Sequence, residues 1–351
     1  MQSLSNIITD REMLDFSQHF DVTRNYAGSR LFPDAKTEYV EQEYLRTCEN
    51  GNLPMMAQIH AFDTEAVIGN RVPFEKVDVE ELLIKEKVNL TESLRRYTRG
   101  MGMAEDRIRA FIFDDVARTA ERVVSRAELA KMDALARGGM TIAGNGMKMT
   151  VDFGVPSENK VSSDWTKADA DILGDLRKWR DVAAEHGTLP NRAMCSGPVM
   201  TRIMGNAAVQ KAIFGASGTG ILPTIDQVNN LLMGQVGITV EVNEARYGEV
   251  TTSGDDVKVN QHRFFPKNAF VMFAVSIDGT VGTGLWGVTP EEDEQTGAWD
   301  SMRAQQFVTV VQWTEHDPVA HWTKASGLFV PVIPNPYGHI IANVGGGDLD
   351  G

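Results

Sequence analysis

Apolar and small residues recur at three-to-four spacing between Ala104 and Ala136: Ile108, Ile112, Val116, Ala120, Val123, Ala127, Ala130 and Ala134, with Phe111, Val124 and Leu135 beside them. This is the stripe of one buried helical face, and charged residues fill the opposite face. The pattern predicts a spine helix over 104–136, about 50 Å long, where an ordinary globular helix has about 11–12 residues. Ala and Val occupy the stripe where a coiled coil would alternate larger residues at a and d, and the spacing does not settle to a 3.5-residue repeat. The expected partner is therefore a closely packed sheet or helix. Gly138-Gly139 supplies a left-handed stop, and Arg137 suits the negative end of the helix dipole.

On either side of the rod the pattern changes. Ile7, Ile8, Leu14 and Phe16 give way to a polar stretch broken by Gly28 and Pro33, so residues 1–50 read as an arm with little core of its own. From Met55 to Leu94, loose alternation at Val77 and Val79 and at Lys85, Lys87 and Asn89, with a Gly69-Asn70 turn signal, predicts a long charged hairpin. Such a hairpin is marginal alone in water, and a neighbouring copy of the chain is one source of support. Charge reversal at Glu80 and Glu81 is expected to spare folding and harm assembly.

Beyond the spine, MTIAGNGMKMTVDF predicts a hairpin turning at Asn145-Gly146. Thr166 and Asp169 suggest a capping box for a helix with Ile172, Leu176, Trp179 and Ala183 inward and Gly187 at its end. A short strand at 192–195, helical pieces near 198–205 and 224–233 and a strand from Ile238 indicate a second, mixed α/β domain. Strands and turns follow over 250–281, and the stretch 305–344 is strand-rich again.

A chain of 351 residues can build a large core or two domains, and 42% hydrophobic with 23% charged residues marks it as globular. Its net charge of −14 argues against bulk affinity for nucleic acid, which needs clustered Lys and Arg. Cys48 and Cys195 lack metal-type spacing and form no disulfide framework, which fits a reducing cytoplasm. The absence of an 18-residue apolar run implies no membrane partner, and the polar start MQSLSNIITDREM lacks the features of a secretory signal.

Candidate chemistry is thin. Glu315-His316-Asp317 with His321 is the best metal candidate, but its histidines stand at i and i+5 with Pro318 between them, so a turn followed by a strand is preferred. His60 and Asp63 have no nucleophile in view. GASGTG at 215–220 has the glycines of a phosphate loop without its Lys-Ser/Thr ending. Cys195 lacks an identifiable His and acid partner and reads as a buried thiol. The spine arginines Arg107, Arg109, Arg118, Arg122 and Arg126 interleave with Asp114, Asp115, Glu121 and Glu128, which suggests a salt-bridged, solvated or partner-facing surface. No catalytic, cofactor-binding or metal residue is assigned.

Taken in order, several strings resemble the E family of major capsid proteins of lambda-like tailed phages. They are RLFPDAKTEYV in the arm, DTEAVIGNR at the hairpin, RRY before the spine, RAFIFDDVARTAERVVSRAELAKMDALARGGMTI through it, then DFGVP, FFPKNAFVMFA and DPVAHWTKASGLFVPVIPNP. The resemblance covers roughly residues 20–345, and the order of the strings carries it. It implies the α+β fold shared by tailed-phage and herpesvirus capsid proteins, the Johnson fold of Hong Kong phage type. Mapped by order, this gives an N-terminal arm at 1–50, an extended loop at 51–97, and a peripheral domain at 98–165 and 300–345. An axial domain at 166–299 and a flexible tail at 346–351 complete the division.

The implied function is structural and not enzymatic: copies assemble as hexamers and pentamers into an icosahedral procapsid that encloses phage DNA without binding it specifically. No cofactor is implied. The implied partners are the chain itself, a portal, a scaffold, a maturation protease and often a decoration protein, with assembly in the bacterial host cytoplasm. Some relatives of the fold cross-link a loop Lys to an Asn; Lys85 and Lys87 stand in that region but read as ordinary solvent-facing charges. The alternatives are an encapsulin-type nanocompartment shell, a metal-dependent hydrolase using His316, Asp317 and His321, and a nucleic-acid-binding module.

Overall fold

The long apolar stripe forms a single helix of 33 residues in the computed structural model. The structure describes residues 24–37, 41–50, 52–53, 56, 74–90, 105–144, 147–167, 169–253, 256–293, 301–303, 307–316 and 319–350. In chain order the elements begin with α1 (Ala27–Leu31), β1 (Asp34–Lys36), β2 (Glu41–Thr47), β3 (Phe74–Glu80), β4 (Leu82–Leu90) and the spine α2 (Glu105–Arg137). Next come β5 (Gly139–Gly144), β6 (Met147–Asp152), β7 (Lys160–Ser162), α3 (Ile172–Glu185), β8 (Arg192–Cys195), α4 (Gly197–Gly205), α5 (Ala207–Phe214), α6 (Ile225–Gln235) and β9 (Thr239–Val242). The chain closes through β10 (Arg246–Ser253), β11 (Asp256–Arg263), β12 (Ala269–Phe273), β13 (Thr283–Gly287), α7 (Pro290–Asp293), β14 (Ser301–Arg303), β15 (Thr309–His316), β16 (Val319–Val332) and β17 (His339–Asn343). Two units result: residues 1–42, 79–131 and 283–331 form the first, and 43–78, 132–282 and 332–351 the second.

In the first unit a sheet runs in the order β1-β13-β16-β15-β14, with β4 also paired to β16. Val116, Ala120, Val123 and Ala127 of α2 are buried, as are Trp286 and Phe329 of the sheet. The small side chains of the spine have the effect their pattern predicts. At Gly327 of β16 an added Cβ would lie 2.8 Å from Trp286 and 2.9 Å from Val123, so helix and sheet meet with no room for another carbon. Burying each large side chain contributes roughly 1.5–3 kcal/mol.

Of the long hairpin expected between 55 and 94, the structure describes residue 56 and residues 74–90. β4 lies antiparallel to β16, from Leu82 opposite Phe329 to Leu90 opposite His321, and β3 pairs with β2. Both strands therefore take backbone partners from their own chain, which apolar content alone does not reveal. The Gly69-Asn70 turn lies outside the described residues. Glu81 is buried against Gly287 and is not a loop charge available to a partner.

The second unit is built on the sheet β7-β17-β12-β8-β9. Its core joins Trp165, Leu176, Trp179, Ile203, Val228, Leu232 and Phe270, with the two indoles stacked at 5.5 Å. Ile172, Leu176, Trp179 and Ala183 face inward as their spacing requires. The cap differs from expectation: Asp171, next to the first helical residue, accepts from the Gly174 amide, while Thr166 donates to Asp164 instead. Thr224 and Gln227 form the reciprocal capping box that opens α6. The helix α5, which the sequence pattern does not announce, is started by Asn206, whose Oδ1 accepts from the Ala208 and Val209 amides.

The spine's last residues belong to this unit and end as predicted, with Gly138 at φ +64°. β5 and β6 pair as the hairpin read from the sequence, Gly144 opposite Met147. The expected tail is tied down over its described part. Asn268 N–H donates to the Leu349 carbonyl at 2.9 Å, and Arg137 pairs with Asp350 at 2.6 Å.

Candidate functional site

Four side chains on one face of the spine, Glu121, Ser125, Glu128 and Lys131, hold the segment 24–34 in step. Arg24 Nε meets Glu121 at 2.6 Å, and the Tyr26 and Ser125 hydroxyls are 2.8 Å apart. The Gly28 amide donates to Glu128 Oε1 at 2.8 Å, and Lys131 Nζ reaches Asp34 Oδ1 at 2.7 Å. Leu31 and Phe32, between the last two rungs, are buried. This part of the expected arm thus has a core, and Glu128 is no member of a solvated charged face.

Burial drives the Glu128 carboxyl up to about 7, although the Gly28 amide and Lys131 work in the other direction. The mark of this cluster in the sequence is Lys131 itself. It stands four residues after Ala127 and four before Leu135, inside the apolar stripe, where a cation needs a partner.

A second charged node ties the first unit's sheet. Glu291 of α7 accepts from Lys324 at 2.6 Å and Ser326 at 2.9 Å, and pairs with Lys85 at 2.8 Å. Burial opposes ionisation of Glu291, but these donors outweigh it and hold the carboxyl down at about 2. Lys85 is thus an ion-pair partner, and Lys87 lies over the Trp322 ring at 4.8 Å. Other spine arginines pair within the unit, Arg118 with Asp114 at 2.8 Å and Arg122 with Glu86 at 2.5 Å.

Among the described residues, those singled out for chemistry form no metal group. Glu315 and His321 lie on adjacent strands, β15 and β16, with Glu315 accepting from Trp322 Nε1 at 3.0 Å. Asp317, and His60 and Asp63, are outside the described residues. Among the described residues, no three of His, Cys, Asp and Glu gather as a metal group. Residues 215–220 form a loop after α5 in which the Gly220 amide donates to Gln210 Oε1. Cys195 is buried at the end of β8, and burial pushes its thiol up to about 12, which makes it a poor nucleophile.

Exposed apolar side chains are found elsewhere in the second unit. Ile221, Leu222, Ile225 and Met233 are exposed around the start and the length of α6. On the β10–β11 hairpin, Val250 and Val259 stand opposite each other, both exposed. Among the described residues these two strands pair only with one another. Among the described residues no helix is long and apolar enough to cross a membrane.

A 33-residue spine, a strand-rich unit and a second unit with a five-stranded sheet and flanking helices make up the phage major capsid type of fold. Two solved structures share it over nearly their whole length. A prophage protein of Escherichia coli CFT073, assigned as its capsid protein, is 14% identical with a TM-score of 0.59, covering 96% of this chain and 99% of that one. A phage-related protein from Bordetella bronchiseptica RB50 is 13% identical with a TM-score of 0.57, covering 97% and 98%. The sequence matches the model of the family described as phage major capsid protein E over residues 11–344. The chain belongs to that family and is a phage capsid shell protein. No curated protein matches the sequence.

Proposed function

We propose that this chain is the repeating tile of an icosahedral phage head, in which copies associate as hexamers and pentamers around packaged DNA, with a structural and no enzymatic role. The observation that carries the reading is the family match from residue 11 to residue 344. The exposed apolar residues of α6 and the β10–β11 hairpin support it, because single-chain exposure of this kind suits burial against other copies. The net charge of −14 suits a lining that confines DNA without holding it.

In this reading residues 1–50 are the N-terminal arm and 51–97 the extended loop. Residues 98–165 and 300–345 form the peripheral domain, and 166–299 the axial domain that meets its copies around the symmetry axes. A portal, a scaffold, a maturation protease and a decoration protein are the proposed partners, with assembly in the host cytoplasm. An encapsulin-type shell would enclose protein cargo in place of DNA. Electron microscopy of the chain expressed alone tests the reading: closed shells, tubes or rings of five and six copies are expected, and isolated single copies at every concentration would overturn it.

A further inference from the structure

We propose that the β10–β11 hairpin is completed by a second copy of the chain: the outer edge of β10 pairs antiparallel with the outer edge of β11 in the next copy, joining the hairpins into one intermolecular sheet. This rests on the reading of the chain as a shell tile and names the strands through which tiles join. The two strands are eight residues long each, and among the described residues neither has another strand beside it. Both faces meet solvent. Val250 and Val259, opposite each other, are 54% and 68% exposed, and Glu249 and Lys258 on the reverse face are exposed as well. The base of the hairpin is held, with Tyr247 stacked on His262 at 5.4 Å and 5.0 Å from Phe264.

A two-stranded ribbon without a covered face is marginal in water, and its unpaired N–H and C=O groups are a template for another strand. The same unit shows how an edge is closed. β9 ends its sheet, and there Asn229 of α6 accepts from the Val240 amide at 2.8 Å and donates to the Val240 carbonyl at 3.1 Å. Among the described residues, no such bond from outside the hairpin reaches the backbone of Gly248, Val250, Val259 or Gln261.

The charges select which edges meet. On the face they share, β10 carries Glu249, and β11 carries Lys258 and His262. Arg246 and Arg263, on the other face, are taken up by Glu244 of the same chain. Lys258 has no carboxylate partner among the described residues. Pairing β10 with β11 of the next copy sets Glu249 beside that lysine, and opposite charges placed side by side across strands are favourable. Within one copy Glu249 faces Asn260, so facing Lys258 of the next copy is an offset of two residues. An even offset keeps side chains on their faces, and closing a sheet on itself requires a stagger. Because the two edges differ, the contact runs head to tail and closes into a ring.

Glu249→Lys and Lys258→Glu, made in the full-length chain, test the pairing by sedimentation velocity. Both positions are exposed, so each variant is expected to fold as wild type does, read by circular dichroism. Each alone sets like charges at every joint and should raise the concentration needed for rings or shells about tenfold. Mixed in equal amounts, the two variants regain opposite charges at each joint of an alternating hexamer and should assemble at the wild-type concentration, which a contact inside one chain could not produce. Single variants that assemble as wild type does, or a mixture that recovers nothing, overturn the pairing and leave the shell reading standing. A wild-type chain that never assembles overturns both. Hydrogen exchange of the wild type reads the joint without a variant: amides of β10 and β11 should slow on assembly, and unchanged exchange there overturns the pairing.

Discussion

His339 offers a test of the second unit's core. Its side chain is buried, stacks with Phe273 at 6.2 Å, and places Nε2 2.6 Å from the Leu135 carbonyl oxygen, so the neutral ring donates from Nε2. Burial pulls its pKa down from 6.5 to about 4; the Leu135 carbonyl opposes this and Lys160 adds to it. The unfolded chain therefore takes up a proton between about pH 6.5 and about pH 4 that the folded chain refuses. Stability from this group is present above 6.5 and is lost as the pH falls toward 4. The fall from 6.5 to about 4 corresponds to about 3 kcal/mol.

In His339→Gln the side-chain amide keeps a donor for Leu135 and has no charge to gain. Urea unfolding of wild type and variant from pH 7.5 down to pH 4 gives two curves whose difference isolates this group from all others. The variant is expected to start less stable through lost ring packing and to close the gap by about 3 kcal/mol as the pH reaches 4. Parallel curves would refute the reasoning.

Val123→Asp places an unpaired charge where Gly327 and Trp286 leave no space, and is expected to abolish soluble folded protein, read by expression and circular dichroism. Glu291→Gln removes the partner of Lys85 and Lys324. Because the wild-type carboxyl is held down at about 2, the stability lost in the variant should be greatest above about pH 4.5 and fade as the pH falls, measured by thermal unfolding. Cys195 should resist a thiol reagent until the chain is unfolded in denaturant, while Cys48, partly exposed, reacts in the native protein.

Where one apolar stripe decides an element, the sequence shows it almost to the residue: the spine runs over Glu105–Arg137 against an expected 104–136, and β8 falls at Arg192–Cys195 as read. Helix periodicity and glycine stops are local, so they survive without knowledge of neighbours. The pairing of β4 with β16 joins residues far apart in sequence, and alternation in a strand says nothing about which strand lies beside it. Polar residues with tertiary partners were harder still. Glu128 and Glu81 carry the charge of a surface side chain and are buried, and only Lys131, set inside an apolar stripe, betrays a cluster in advance. Asp171 sets a helix start through one hydrogen bond and Asn206 through two, which a neighbouring Thr or Asp could equally supply.

Sedimentation velocity of the purified chain over a range of concentration tests most directly whether this is a tile that finds its structural completion in other copies. Fast-sedimenting rings or shells, growing with concentration at the expense of the single chain, are the predicted result. A single slow species that persists unchanged up to the highest concentration would contradict it.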